Sequence, residues 1–562
     1  MRKQFIFAGR LQGKFQQELQ NILIGRLVER LWSRDASLWP KELIDRDSAL
    51  AKMEWLALPE AMEQFLELVR GLVQGADAEG LVDHALLTSE SVNLCARAFL
   101  GLPGIPFARK ILVFDSISPE AIQENEAGMD LSRTLFVLAN KEHYELKDHC
   151  LFLYFREKLQ AIEGACASRH FVSQAESRSY LAGLSREYTF RDFVHDPPAI
   201  PSAYCSLRQF GAVLIAIHAA DPERMQNAIN QVRGACSAIT PPDSNPALQM
   251  AAFLSSVIAD HCGYLAFLAS PSLMAYPHRL GQLFGASLAR ESRGLIPLTE
   301  IDPRDASAIE SDTAFVLLSY AGDPDEEIDK ASTGFRANQT PFLHVEMAQP
   351  LDLLTETYQW EIATILACAR LGTDPFEVAN NRVPRAFTDE ILEQLSRGEN
   401  ALQRSPRLTD GRIQLFAGKA TRQEISMLSL SEALRTFLRI ATPGRHVSLL
   451  VNLGGTREVR AKFHALRSKL TIALQRPVVM VFGPHAPEHT GYFFRDSLPY
   501  GPCIVGAHYR FGQFYQALAL SEYDTIEHQQ HPVIRLHLAR DFPEALDQLL
   551  HVFEQALHRF PS

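Results

Sequence analysis

Short apolar runs alternate with longer amphipathic stretches along most of this chain, and few folds accommodate that rhythm. Ile111-Leu-Val-Phe-Asp115 and Thr134-Leu-Phe-Val-Leu-Ala139 are continuous apolar runs, the pattern of strands buried on both faces of a parallel sheet. Residues 148–161 follow as an amphipathic helix. A second set comprises Leu265-Ala-Phe-Leu-Ala269, Thr313-Ala-Phe-Val-Leu-Leu-Ser319, Phe342-Leu-His-Val-Glu346, Val447-Ser-Leu-Leu-Val-Asn452, Val478-Val-Met-Val-Phe482 and Val533-Ile-Arg-Leu-His537. Parallel strands need crossover connections, so the alternation predicts an α/β fold of two doubly wound parallel-sheet lobes. The Pro- and Asp-rich Thr240-Pro-Pro-Asp-Ser-Asn-Pro246 is the predicted join. At the amino end Phe15, Leu19, Ile22, Leu23, Leu27 and Leu31 recur mostly at steps of three and four, predicting that the first forty residues form a helix docked by this stripe. The expected organisation is an N-terminal helical extension (1–50), a first lobe (51–240), a second lobe (241–545) and a C-terminal helix (546–562).

Composition narrows the class of function. The 562 residues are 46% hydrophobic and 22% charged, as in a globular protein, and carry a net charge of −11 with no basic run. Nucleic acid is therefore not an expected partner. No stretch of 18 apolar residues occurs, so no membrane span is expected, and the predicted location is cytoplasmic. Eight dispersed cysteines form no CxxC pair and read as reduced, mostly buried thiols. His485-Ala-Pro-Glu-His489 carries two imidazoles and a carboxylate, but its prolines argue for a solvated loop rather than a metal site. Asn452-Leu-Gly-Gly-Thr456 suits either an anion cradle or an ordinary tight turn. Asp323-Pro-Asp-Glu-Glu-Ile-Asp329 reads as a solvated loop or helix start, and Trp32, Trp39 and Trp55 as packing anchors. Neither metal nor cofactor is expected.

The stretch Asp196-Pro-Pro-Ala-Ile-Pro-Ser-Ala-Tyr-Cys-Ser-Leu-Arg-Gln-Phe-Gly211 resembles the signature of phosphoglucose isomerases, in which isoleucine precedes Gly-Gly-Arg-Tyr-Ser. Ile200, Tyr204, Leu207, Phe210 and Gly211 fit that signature. The resemblance extends to about residue 545. It is nearest to the isomerase portion of bacterial proteins that fuse transaldolase to phosphoglucose isomerase, and it implies two sugar isomerase (SIS) lobes and a dimer whose sites take residues from a neighbouring subunit. It also implies the positions of the chemistry: a phosphate clamp, a ring-opening group, a carboxylate base and a cation beside the enediolate.

Those positions are altered. The arginine of the signature is Ala203, within Pro201-Ser202-Ala203. Residues 270–297 align without a gap on the run that carries the base; Gln282, Leu283, Ser287, Arg293, Gly294 and Pro297 fit, but the glutamate position is Ala286. Glu291 lies five residues on, about 500° around a helix and so on another face. Thr490-Gly-Tyr-Phe-Phe-Arg-Asp-Ser-Leu-Pro499 places Phe494 where the resemblance implies histidine and Arg495 where it implies lysine. Arg495 stays charged and cannot shuttle a proton. Val378 replaces a glutamine, while Trp360-Glu361 and Leu371-Gly372 match.

The phosphate loops are altered as well. Asp83-His-Ala-Leu-Leu-Thr-Ser-Glu-Ser91 corresponds to the first loop, with Leu86 and Leu87 at the glycines and Thr88 and Ser89 left as ligand hydroxyls or helix caps. The second loop reads Asn140-Lys-Glu-His-Tyr-Glu145: Lys141 fits, while Glu142 and Glu145 would face a dianion. A like-charge pair at about 4 Å costs roughly 1 kcal/mol in water and about 4 at an effective dielectric of 20. The leading expectation is a catalytically degenerate scaffold or regulator of sugar-phosphate metabolism, with a transaldolase as one partner the fusions suggest. The alternatives are an isomerase with rearranged groups and a binder of another sugar or small anion. For that binder the cleft lining would be Thr88, Ser89, Lys141, Glu142, His143, Tyr144, Ser202, Tyr204 and Arg290. In a purely structural protein Leu86, Leu87 and Tyr144 would fill the cleft.

Overall fold

The computed structural model describes the chain apart from residues 1, 7–9, 41–43, 89, 104–109, 115–117, 141–145, 198–199, 210–221, 290–293, 324, 377–381, 403, 426–427, 441–445, 454–455, 484–502, 509–512, 539–541 and 559–562. The amino end is not one helix. Strand β1 (Arg2–Ile6) precedes helices α1 (Arg10–Ile24) and α2 (Leu27–Trp32). Arg26, at φ 50° in the left-handed region, interrupts the run between the two helices. The predicted stripe is otherwise the docking face: Phe15, Leu19, Ile22, Leu27 and Leu31 are buried. Helix α3 (Leu58–Ala78) then leads into the first sheet.

That sheet contains β2 (Asp83–Thr88), β3 (Ile111–Val113), β4 (Thr134–Ala139), β5 (Phe171–Ala175) and β6 (Asp192–His195), all parallel, in the order β3-β2-β4-β5-β6. Helix α4 (Glu90–Leu100) follows β2, and α5 (Leu146–Glu163) follows β4. Leu86 and Leu87 therefore do not belong to a ligand loop. They lie inside β2 on opposite faces, Leu86 in the core continuous with the second lobe and Leu87 among Phe114, Phe136 and Phe155. Strand alternation places them there, and neither fills a cleft.

Helix α6 (Pro246–Ala259), capped by Asn245, opens the next part directly after the predicted join. The second sheet joins β7 (Tyr264–Ala269), β8 (Ile296–Leu298), β9 (Thr313–Tyr320) and β10 (Phe342–Met347) in parallel, in the order β8-β7-β9-β10. Strand β1 pairs antiparallel with β10 at the edge. Helix α7 (Tyr276–Ser287) follows β7, and α8 (Glu326–Asn338), capped by Asp325, follows β9. Helix α9 (Leu351–Leu371) is buried from Asp352 through Cys368 and packs against α6. Such a helix, walled in all round, is the central post of the molecule.

The span 241–545, expected to make one lobe, contributes strands to two sheets. The third contains β11 (Leu408–Asp410), β12 (Ile413–Ala417), β13 (Val447–Asn452), β14 (Val478–Phe482), β15 (Cys503–His508) and β16 (Val533–Leu538) in the order β11-β12-β16-β15-β13-β14. Its last four strands are parallel, while β11 and β12 form an antiparallel edge. Helix α10 (Arg457–Leu474) follows β13, and α11 (Phe542–Leu557) closes the chain. This sheet has its own core of aliphatic residues around Leu449, Phe463 and Phe553. In each sheet the first parallel strand in the chain lies between the second and the third. Ligand crevices of doubly wound folds form where strand order reverses in this way, at the carboxyl ends of the strands.

Candidate functional site

In the first sheet the reversal lies between β2 and β4. At the end of β2, wholly buried Thr88 donates its hydroxyl to Asn93 Oδ1, and Asn93 Nδ2 donates back to the Thr88 carbonyl at 2.9 Å. The hydroxyl thus secures the turn into α4 through a side chain rather than through a backbone cap. After β4, Asn140 Nδ2 donates to Asp148 Oδ2 on α5 at 2.9 Å. Ser89, Lys141, Glu142, His143, Tyr144 and Arg290 lie outside the described residues, as do Val378, the His485–His489 stretch, Phe494 and Arg495.

The segment Ser202–Tyr204 forms a short 3₁₀ turn against the core. Tyr204 is buried between Trp55 and Phe376, with ring centroids 5.7 and 5.4 Å away. Its hydroxyl lies 2.6 Å from Ser287 Oγ, which donates to the Pro375 carbonyl at 3.0 Å. This bond joins two segments that are far apart in the chain: Ala203 precedes Tyr204, and half-buried Ala286 precedes Ser287 at the end of α7. The positions to which the resemblance assigns the guanidinium and the base thus each adjoin one partner of the bond, and both hold methyl groups.

Charge is present behind them, in a pair that sequence reasoning missed. Arg279, one α-helical stretch before Ala286, is fully enclosed; its Nη2 donates to the Ala203 carbonyl at 2.8 Å and to Glu361 Oε1 at 3.2 Å. Glu361 Oε1 also accepts the Ser206 N–H at 3.1 Å, while Oε2 is enclosed and has no partner among the described residues. Burial raises the Glu361 carboxyl from 4.5 to about 7, against the opposing pull of Arg279 and Ser206. Burial likewise pushes the nearby Cys95 thiol up to about 12, leaving it un-ionised and unreactive. The sequence signal for the pair was faint: one charged residue in the otherwise small and apolar middle of α7, and a carboxylate in a helix walled in on every side.

A carboxyl near neutrality beside a guanidinium is equipment for proton transfer, but Glu361 is 1% exposed and Arg279 0%. In this arrangement they hold the Ala203–Ser206 backbone from the core side. Among the described residues no group of three metal-ligating side chains is placed to hold an ion. No described helix is long and apolar enough to cross a membrane, and no disulfide forms among the described cysteines.

No protein-family model and no curated protein matches the chain. Among solved structures, the hypothetical protein TT0462 from Thermus thermophilus aligns over 69% of this chain and 100% of its own, with a TM-score of 0.57 and 16% identity. A glucose-6-phosphate isomerase from Chlamydia trachomatis aligns over 66% of this chain and 78% of its own, with a TM-score of 0.49 and 14% identity. A tagatose-6-phosphate ketose/aldose isomerase from Escherichia coli aligns over 58% and 95%, with a TM-score of 0.40 and 8% identity. The likeness to the Thermus protein shows a shared α/β fold.

Proposed function

We propose that this chain is a catalytically degenerate protein of phosphoglucose-isomerase type, built on SIS-type lobes, that acts as a scaffold or regulator in sugar-phosphate metabolism. One observation carries this reading: Ala203 and Ala286 each adjoin in sequence one partner of the Tyr204–Ser287 hydrogen bond. They are the two positions at which the resemblance implies the enediolate cation and the base. A methyl group can neither take a proton nor stabilise an oxyanion. A general base contributes about 10²–10⁴ in rate and an oxyanion stabiliser about 10²–10³, with the combined loss not strictly multiplicative.

The test is a coupled isomerase assay on protein purified through several columns, with fructose 6-phosphate and glucose 6-phosphate as substrates. Wild-type protein is expected to show no turnover that tracks its concentration. In this reading the protein works in the cytoplasm as a homodimer and docks a pathway enzyme such as a transaldolase; co-elution of the purified pair on a sizing column supports that role. A second reading, an isomerase with rearranged groups, draws on Glu361, whose carboxyl sits near 7 beside Arg279. It requires that turnover exist and that Glu361→Gln abolish it.

A further inference from the structure

Glu300, just past β8, stands between two helices that belong to different sheets. Its Oε1 lies 3.1 Å from His278 Nε2 on α7, and its Oε2 lies 3.7 Å from His464 Nδ1 on α10. The Glu300 side chain is 11% exposed against 34% for His278 and 36% for His464, so water reaches both imidazoles while the carboxylate stays enclosed. Arg467, on the same face of α10 as His464, is buried and has no acceptor for Nε among the described residues. Glu300, Asp305 and Asp302 are close enough for their charges to be felt at Arg467. Asp302 is already bound by Arg304 at 2.9 Å, and Asp305 accepts from Ser468 of α10. From β14 comes the Phe482 ring, 6.1 Å from that of His464, with Arg460 lying over the same ring at 4.6 Å. Asp547 and Glu554 of α11 also reach α10, but they pair with Lys462 and Lys469 on its opposite face.

This boundary suits a neutral His464. Burial above all holds its imidazole below the usual histidine value of 6.5; Glu300 pulls it up, and Arg467, Arg460 and His278 push it further down. A proton added there would stand beside Arg460 and Arg467, with a single close carboxylate, already engaged by His278, to answer it. The folded arrangement binds that proton less well than an open one, so its contribution is complete above pH 6.5 and is lost as pH falls below it. Burial raises the Glu300 carboxyl, but His278, His464 and Arg467 bring it down to about 2, so it keeps its charge through that range. The third sheet has a core of its own and can shift as a body. Val479 and Val481 of β14, packed against the core of the second sheet, give the boundary an apolar part that does not titrate.

We propose that Glu300, His278 and His464 form an acid-released latch, which at neutral pH holds α10 against residues 300–308 and in mild acid takes up a proton at His464 and loosens the third lobe from the second. The inference goes beyond the loss of isomerase chemistry and does not depend on it. Amide hydrogen exchange of the full chain at about pH 7.5 and about pH 5.5, corrected for the intrinsic rate at each pH, tests it. Exchange is read segment by segment, because proton uptake by Glu361 strengthens the core as pH falls. In wild-type protein residues 300–308 and α10 are expected to exchange faster at the lower pH, while α9 keeps its protection. His464→Gln, which cannot take up the proton, is expected to hold both segments protected at both pH values. Glu300→Gln removes the carboxylate and is expected to show fast exchange in both segments already at the higher pH. Unchanged protection of the two segments in acidified wild-type protein overturns the proposal, as does equal loosening of α9. An acid response in His464→Gln equal to that of wild type overturns it too. Should His464→Gln not fold, full protection of both segments in Glu300→Gln at the higher pH overturns it.

Discussion

Glu361 and Arg279 hold the floor of the candidate site, and their burial makes the site sensitive to pH. The Glu361 carboxyl rises from 4.5 in an exposed chain to about 7 when folded, so the folded state binds its proton more tightly than the unfolded state. Its contribution is complete below pH 4.5 and is lost as pH rises through 7, by up to about 3 kcal/mol. Urea midpoints of wild type and Glu361→Gln, measured between pH 4.5 and 8, check this. Glu361→Gln is expected to show the flatter profile, and parallel profiles would contradict the assignment. At this scale the sequence was only partly legible. The motifs single out Ala203 and Ala286 only through a resemblance, whereas Arg279 meets Ala203 and Glu361 through the packing of α7 on α9. Thr88 was expected to act as a ligand or a backbone cap; its partner proved to be the side chain of Asn93.

Helix α4 ends in close contact with the second lobe. A Cβ on Gly101 would stand 2.7 Å from the Ser272 carbonyl oxygen. Ser272 cannot yield easily, because its N–H donates to Asp323 Oδ2 at 2.8 Å. Gly101→Ala is therefore expected to destabilise the protein by about 1–3 kcal/mol, as overpacking does. An unchanged denaturant midpoint would show that the two lobes can separate there without cost. The central strands were legible because four to eight consecutive apolar residues leave little alternative in a parallel sheet. Strands β13 and β14 run over the spans predicted for them. Strands β1, β11 and β12 were not legible: they pair antiparallel outside the parallel runs, and β1 and β11 have a sheet partner on one side only. The first phosphate-side loop was misplaced for a related reason, since Asp83–Thr88 is itself a central strand.

Across the described residues, three mostly parallel sheets share one winding order, and the third meets the second through α10. Glu300 approaches His278 Nε2 of α7 at 3.1 Å and His464 Nδ1 of α10 at 3.7 Å, so one carboxylate spans the boundary between them. The alternation of runs predicted the layers but could not count the sheets, because the pattern continues unbroken from β7 to β16. The function proposed above requires that the protein carry no base able to move a sugar proton. The most direct measurement is deuterium exchange at C1 of fructose 6-phosphate and C2 of glucose 6-phosphate in D₂O, followed by NMR with wild-type protein and with Ala203→Arg/Ala286→Glu. The account predicts no exchange above the protein-free rate for wild-type protein. Exchange that scales with wild-type concentration and disappears in Glu361→Gln would contradict it and identify a relocated base.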